Sequence, residues 1–309
     1  MSPAVITITA VTSGLGVILN CAVLYLVLSQ GRKQYHYLFA GVLAICAVWD
    51  LAIFLMMLRN SHVDEVEALG YVIIPCAALP VLIFHFTCSY LCKPMKKTTV
   101  ILWIFTILVM IFTISGLGGR IDGVYRYPWG NIFRPDEQYL AGNIISLPLW
   151  YMITVPAIYF LIRARRHEAD PLARRHQLYV LLSLVAINLA LVKVVVILGV
   201  RNGYFLTVGM LFTDLAAAII GIAIIKDRLF DITPVIKIGL VYSALAASII
   251  VLFSLTEHLL ATYVAENIGG HSTLVHIITL ALVIAVTLPV KRRVEHYVDS
   301  YFAERRLRF

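Results

Sequence analysis

The sequence predicts an all-helical bundle that crosses a membrane about nine times, with an external N-terminus and a cytoplasmic C-terminus. Three observations predict this fold class. The 309-residue chain is 61% hydrophobic and only 14% charged, whereas an average soluble domain carries about 25% charged residues. Apolar runs long enough to span a bilayer recur along the whole chain. The number of basic residues alternates from one connecting loop to the next.

Nine apolar runs approach the ~20 residues that a membrane-spanning helix needs. They cover roughly residues 4–30, 37–58, 69–92, 100–118, 144–162, 178–199, 206–225, 238–263 and 274–290. The first run has no basic segment in front of it of the kind that begins a cleavable signal peptide, so we interpret it as a span. The chain thereby divides into a seven-helix bundle at 1–225, two further spans at 226–290 and an exit helix at 291–309.

The basic residues predict the orientation. Alternate loops and the C-terminal tail hold 19 of the 25 Lys and Arg residues, the opposite loops hold five, and Lys193 lies inside a span. Because cytoplasmic loops carry the excess of Lys and Arg, the N-terminus is predicted to lie outside. The net charge of +8 follows from this asymmetry, so it indicates contact with anionic lipid headgroups and no nucleic-acid partner.

The longest external loop, residues 119–143, reads "GRIDGVYRYPWGNIFRPDEQYLAGN". Its aromatic residues are typical of the membrane interface. Its prolines and short polar stretches do not resemble a flexible linker. Two interpretations stay open, namely an ordered lid over the bundle and a simple interfacial anchor.

Three ionisable side chains stand at similar depth in three different spans. Asp50, Lys193 and Asp214 each lie about 9–12 Å below the external end of their span, at a rise of ~1.5 Å per residue. An ammonium alone in hydrocarbon is costly, so we expect Lys193 to pair with Asp214, Asp50 or both. The group is either the polar floor of an external ligand pocket, walled by Trp49 and extended by Asn188, or an ion pair that fixes helix registry. A third interpretation is a path for protons or ions.

The remaining polar signals indicate structure rather than chemistry. His85, in "LIFHFTCSYL", is predicted to form a hydrogen bond between helices. The five cysteines lie in apolar runs without metal-ligand or disulfide spacing. Neither a GxSxG nor an HExxH motif is present. We therefore expect no metal, no cofactor and no catalytic activity in this chain.

Two cytoplasmic segments have the pattern of a signal relay. The segment "IIKDRLFDITPVIKIGL" follows span seven, with alternating charges and a proline that re-aims the chain. The final segment "VKRRVEHYVDSYFAERRLRF" places apolar residues at i, i+4 and i+8, which predicts an amphipathic helix leaving the membrane. The predicted relay residues are Arg228, Phe230, Asp231, Pro234, Val294, Val298 and Phe302.

Several of these stretches resemble one known family. "ADPLARRHQLYVLLSL", "IIKDRLFDITPV" and "RRVEHYVDSYFAERR" are similar to the membrane-embedded input region of bacterial sensor histidine kinases, as are "AVWDLAIFLMM" and "FHFTCSYL". The nine-span plan also resembles that of LuxN-type quorum-sensing kinases. The resemblance implies a multi-pass protein of the bacterial cytoplasmic membrane. It further implies a small or lipid-like ligand in the outer half of the bundle, a cytoplasmic kinase or response partner, and a homodimer.

The sequence departs from the family where the kinase chemistry would begin. His296 stands in "VEHYVDSY", which does not match the context of a phosphoacceptor histidine, and no ATP-binding glycine boxes precede Phe309. We therefore expect that this polypeptide does not phosphorylate itself and is either a truncated sensor or an orphan that signals through a partner. Two other functions stay open. One is a transporter that uses the buried charges for coupling, and the other is a structural membrane subunit.

Overall fold

A computed structural model describes residues 3–30, 33–93, 95–127, 129–197, 200, 202–227 and 229. These residues belong to one compact unit, Met1–Leu240. Within them, seven helical segments are long and apolar enough to cross a membrane. They correspond to the first seven predicted spans. The eighth and ninth predicted spans and the exit helix lie outside the described residues.

Five of the seven spans are single helices and two are broken. The single helices are α1 (Pro3–Gln30), α2 (Gln34–Leu58), α5 (Lys96–Ile114), α6 (Glu137–His167) and α9 (Tyr204–Asp227). The third span consists of α3 (Val63–Tyr71), a 3₁₀ turn (Ile74–Ala78) and α4 (Leu79–Tyr90). The sixth span consists of α7 (Pro171–Leu189), a 3₁₀ turn (Ala190–Lys193) and α8 (Val194–Ile197).

The two breaks have different local causes. Pro75 and Pro80 lie at the starts of the 3₁₀ turn and of α4 in the third span, where their missing N–H groups interrupt the backbone hydrogen bonds. The break in the sixth span contains no proline. It lies instead against Gly209 of α9, where an added Cβ would come within 2.8 Å of the Ala190 carbonyl oxygen. The absence of a side chain at Gly209 therefore lets α9 approach the turn that carries Lys193.

The predicted all-helical fold class is confirmed for the described residues, with one small addition. Residues 121–135 form an antiparallel hairpin of β1 (Ile121–Tyr127) and β2 (Gly130–Pro135). The sequence "VYRY" and the sequence "NIF" carry β-branched and aromatic residues, which favour strands. Gly130 adopts φ +153°, which suits a turn residue without a side chain. The predicted external loop is thus ordered as a hairpin.

The hairpin packs on the end of the bundle. Trp129 is buried, and a Cβ on Gly203 would come within 2.6 Å of its indole ring. The Tyr71 hydroxyl donates to the Ile121 carbonyl at 3.1 Å and accepts from the Ile121 N–H at 3.2 Å. The hairpin therefore joins the third span to the start of α9, and we call this the hairpin end of the bundle.

The helices divide into an inner group and an edge. The inner group comprises α1, α2, α4, α7 and α9, which pack against one another in the order α1 on α2, α2 on α4, α1 on α9 and α7 on α9. Helix α5 packs mainly on α4 and the first 3₁₀ turn, and α6 packs on α4 and α7. Among the described residues, α5 and α6 do not pack along each other. The edge is therefore split between these two helices.

Candidate functional site

Asp50 and Asp214 meet at the centre of the inner group. Asp50 lies on α2 and is fully buried. The Asp50 Oδ2 and Asp214 Oδ1 atoms each lie 2.5 Å from the position that a Cβ on Gly16 would occupy. The two carboxyl groups are therefore separated by no more than twice that distance. The glycine on α1 leaves room for both of them.

The carboxyl groups are incompletely satisfied by the protein. Asn20, one turn along α1 from Gly16, donates its amide N–H to Asp50 Oδ2 at 3.1 Å. Among the described residues, Asp50 Oδ1 and Asp214 Oδ1 have no hydrogen-bond donor. An unsatisfied buried polar atom costs about 1–3 kcal/mol, and more when it is charged. Such an arrangement is expensive as a structural lock and is more typical of a functional site.

Lys193 lies beside this centre on the 3₁₀ turn of the sixth span. Its side chain is almost completely buried. The ammonium donates to the Thr213 hydroxyl at 3.2 Å and lies 3.9 Å from the Met210 sulfur. It also lies 4.0 Å from the centroid of the Trp49 ring, within the ~6 Å range of a cation–π contact. The lysine thus joins α2, α9 and the broken sixth span.

The direct ion pair that the sequence predicts is not formed in the structure. Ion pairs within 4.0 Å among the described residues join Arg59 to Glu65 and Arg134 to Asp122, and none involves Lys193. The ammonium is instead held by a hydroxyl and an indole face. The three charged groups do share one region of the bundle, as their common depth predicts. Their attraction acts across a longer distance than a contact.

Asn188 has a different position from the one its sequence suggests. Its side-chain carbonyl accepts from the Trp150 indole N–H at 3.1 Å and from the Thr154 hydroxyl at 2.8 Å. Its amide group donates to the Leu184 carbonyl at 2.8 Å. Asn188 therefore fastens α6 to α7 and holds the Trp150 ring in place. It contributes to the site through that ring.

A cavity of about 260 Å³ lies between α5 and α6. It is just smaller than the roughly 300–1,000 Å³ of common small-molecule pockets. Its walls come from both edge helices, from the third span and from the hairpin. Representative lining residues are Trp49, Cys76, Phe105, Thr106, Phe112, Phe133, Gly142, Trp150, Ile153 and Leu191. None of the described residues that line it is charged, so it suits an apolar ligand.

The polar centre and the cavity are neighbours. A second, smaller cavity of about 10 Å³ has Lys193 and Thr213 among its lining residues, together with Trp49, Trp150 and Leu191. The last three residues also line the larger cavity. The two cavities therefore adjoin at these three residues, beside the buried ammonium. A ligand in the cavity would therefore touch the ring on which Lys193 rests.

His85 lies on α4, away from this centre. The Trp103 indole N–H of α5 donates to His85 Nδ1 at 3.2 Å, and the Gln34 amide lies 3.4 Å from His85 Nε2. The histidine therefore has interhelical partners on α5 and α2. The predicted relay residues, from Arg228 to Phe302, lie outside the described residues.

Comparison with known protein families identifies the class. A family model described as the N-terminal 7TM region of histidine kinase matches residues 13–234, which is more than two thirds of the chain. The match begins within α1 and extends past α9, so it covers most of the first helical span and all of the other six. No curated protein matches the chain. The chain belongs to the family of seven-helix membrane sensor regions of histidine kinases.

Several residues of the site were missed by sequence reasoning. Asn20 and Thr213 were visible as polar residues in apolar runs, and Thr213 directly precedes Asp214. Gly16 and Gly209 matter only because another helix approaches them, which a single sequence does not reveal. Trp150 carried no signal, because a tryptophan in a span usually packs without a specific role. These residues become identifiable only when the helices are assembled.

Proposed function

We propose that this chain is the input region of a bacterial sensor histidine kinase that binds a small, lipid-like molecule between α5 and α6. The observation that carries the proposal is the uncharged cavity whose inner wall, Trp49, also supports the buried ammonium of Lys193. The family match supports a membrane sensor. The cavity adds a place for the ligand.

The proposed topology places nine spans in the cytoplasmic membrane, with the N-terminus outside. The excess of Lys and Arg in alternate loops supports this orientation. In that orientation the hairpin end is external, and the cavity opens in the outer half of the bilayer. Segments 226–237 and 291–309 are then cytoplasmic, where they would meet a kinase domain.

The proposed relay begins at Trp49. A ligand that displaces this ring would remove one support of the Lys193 ammonium and change its contacts with Thr213 and Met210. Both of these residues lie on α9, which leads into the predicted relay segment. A shift of α9 between two packings would thereby move the cytoplasmic segments. We further propose that the chain has no catalytic activity of its own and acts through a kinase domain, in a homodimer.

Blocking the cavity tests the proposal. Gly142 lines the cavity, and an added Cβ there meets no atom within 4 Å. Gly142→Phe should therefore fill the space without disturbing the backbone. Ile145 on the same helix is 64% exposed and gives a matched control, Ile145→Phe, on the lipid-facing surface.

The measurement is native mass spectrometry of the purified wild type, both variants and Lys193→Met, all checked for folding. We expect a bound small molecule on the wild type and on Ile145→Phe, and none on Gly142→Phe. Equal occupancy of the wild type and Gly142→Phe would contradict binding in this cavity. For the relay, spin labels on residues 294 and 298 should report a changed exit-helix geometry when ligand binds. An unchanged geometry would contradict the relay.

One observation favours a second function. The unsatisfied oxygens of Asp50 and Asp214 would also suit a coupling site for ion-driven transport. Counterflow uptake in proteoliposomes distinguishes the two functions, because a receptor gives none. If the chain is instead a purely structural subunit, exchanging Lys193 and Asp214 should preserve both folding and function.

A further inference from the structure

The ammonium of Lys193 retains capacity to donate hydrogen bonds. It carries three N–H donors. Among the described residues its one oxygen acceptor is Thr213 Oγ1, and its other acceptor is the weakly accepting Met210 sulfur at 3.9 Å. The Trp49 ring takes the charge on its face without accepting a conventional hydrogen bond. A donor is therefore available for a further acceptor.

The small cavity beside the ammonium has room for a single atom of that kind. Its volume of about 10 Å³ is close to the ~10–15 Å³ that one water-sized group requires. Its lining includes Lys193 and Thr213 and the indoles of Trp49 and Trp150. The Trp150 indole N–H donates to Asn188, so the part of the lining that Trp150 forms is held in place. One oxygen atom, but no bulky head group, fits there.

The larger cavity determines the length and polarity of the rest of the ligand. Its lining on α6 runs from Tyr139 to Ile153, a distance of about 20 Å along the helix at 1.5 Å per residue. The lining residues are uncharged and largely apolar. An ionised head group would lose its hydration in such surroundings at high cost, and beside Lys193 an anion would meet the carboxyl groups of Asp50 and Asp214. The occupant is therefore elongated, apolar and neutral.

We propose that the ligand is a neutral, chain-like molecule whose terminal carbonyl oxygen accepts a hydrogen bond from Lys193 while its chain lies between α5 and α6. The inference rests on the proposed function and specifies the chemistry of its ligand. The gap between α5 and α6 lies at the exposed edge of the bundle, since Phe105 lines the cavity and is 47% exposed. The molecule would accordingly enter from the bilayer.

A matched pair of probes tests this chemistry. The first is a ten-carbon methyl ketone brominated in the middle of its chain. The second is the alkene in which a methylene group replaces the carbonyl oxygen. Bromine quenches tryptophan fluorescence on contact, and Trp49 and Trp150 both line the cavity. Quenching is measured in nanodiscs at equal mole fractions of the two probes, and each intensity is normalised to that of the same variant without probe.

We expect the ketone to reach half-maximal quenching of the wild type at about a tenfold lower mole fraction than the alkene, the size typical of one hydrogen bond to a charged donor. In Lys193→Met the two probes should coincide at the value for the alkene. Lys193→Gln keeps a donor and should retain part of the difference. Gly142→Phe should weaken both probes equally, whereas Ile145→Phe should change neither.

The outcomes separate the two proposals. Equal quenching by ketone and alkene in the wild type, with both weakened by Gly142→Phe, would overturn the carbonyl inference and leave the cavity as the ligand site. A preference for the ketone that survives in folded Lys193→Met would also overturn it. Quenching that Gly142→Phe leaves unchanged would overturn the proposed cavity site itself. The wild-type comparison needs no variant, so a misfolded Lys193→Met would not prevent the test.

Discussion

The inner group of helices and the edge differ in how firmly they are packed. Between 39% and 61% of the apolar segment is buried in the spans of the inner group, against 11% in α5 and 22% in α6. Asp50, Lys193 and Asp214 lie in the inner group, and the uncharged cavity lies at the edge. Firm packing is needed to hold unsatisfied carboxyl groups in place, whereas a ligand from the bilayer needs helices that can yield.

The largest expected contrast comes from the same substitution on two adjacent helices. Ile83 of α4 is fully buried, and Ile101 of α5 is 65% exposed. Ile83→Ala should lower the free energy of unfolding by about 2–5 kcal/mol, because it leaves a cavity in a packed core. Ile101→Ala should change that free energy by less than about 0.5 kcal/mol.

The free energies are measured by SDS-driven unfolding in mixed micelles. Both variants lose the same side-chain atoms, because both replace isoleucine by alanine. The difference between their unfolding free energies therefore reports how firmly each position is packed. Similar values for the two variants would mean that α5 is packed as firmly as α4, and the division into an inner group and an edge would be wrong.

A second contrast tests the close approach of α9 to the Lys193 turn. An added Cβ at Gly209 would lie 2.5 Å from Lys193 Cβ and 2.9 Å from the Lys193 backbone nitrogen. Gly209→Ala should therefore lower the free energy of unfolding by about 1–3 kcal/mol. Gly221 is the control on the same helix, since its added Cβ would meet only the Val23 side chain at 3.4 Å.

Gly221→Ala should be neutral or slightly stabilising, because alanine is the better helix former by about 1 kcal/mol. Both variants are compared by the same SDS titration. If Gly209→Ala were as stable as Gly221→Ala, the contact between α9 and the turn would be looser than the structure has it. The route from Lys193 to α9 would then lose its support.

The parts of the fold that depend on one segment at a time were predictable from the sequence. Hydropathy located all seven described spans, and the similar depth of Asp50, Lys193 and Asp214 indicated that they would meet. The strands of the hairpin were readable in "VYRY" and "NIF", but the prediction treated residues 119–143 as one loop. Local composition therefore contained the information for the spans, which were predicted, and also for the hairpin, which was not.

The parts that depend on several helices at once were not predictable from one sequence. The ammonium of Lys193 rests on Trp49 and Thr213 rather than on a carboxylate, because the side chains that surround it are chosen by helix rotation. The cavity exists because α5 and α6 fail to pack, and no residue pattern records a missing contact. Gly16 and Gly209 likewise acquire their roles from their neighbours.

The third contrast concerns the fastening between the edge and the inner group. Asn188→Leu removes the acceptor of the Trp150 indole N–H and of the Thr154 hydroxyl. The Thr154 hydroxyl also lies within hydrogen-bonding distance of the Trp150 carbonyl, so the indole is the group left unpaired. The variant should lose about 1–3 kcal/mol of unfolding free energy.

A double-mutant cycle identifies the cause of that loss. Trp150→Phe removes the indole N–H, so Asn188→Leu should cost less by roughly 1 kcal/mol in that background. An equal cost in both backgrounds would show that the Trp150 bond contributes nothing. Asn188 would then act through Leu184 or Thr154, and the position of the Trp150 ring beside the small cavity would need another explanation.

The smallest expected change in stability concerns α5, at the loosest part of the edge. Trp103→Phe removes the hydrogen bond from α5 to His85, at a cost of about 1 kcal/mol.

The same substitution should have a larger effect on the position of α5, because α5 has few other contacts with α4. Spin labels on Ile107 and Met152, after replacement of the exposed Cys21 and Cys92, report the distance between α5 and α6. We expect a broader distribution in Trp103→Phe and an unchanged one in Ile104→Val, a control on α5 at a residue that is 54% exposed. An unchanged distribution in both variants would mean that lipid contacts, rather than this hydrogen bond, hold α5 against the bundle.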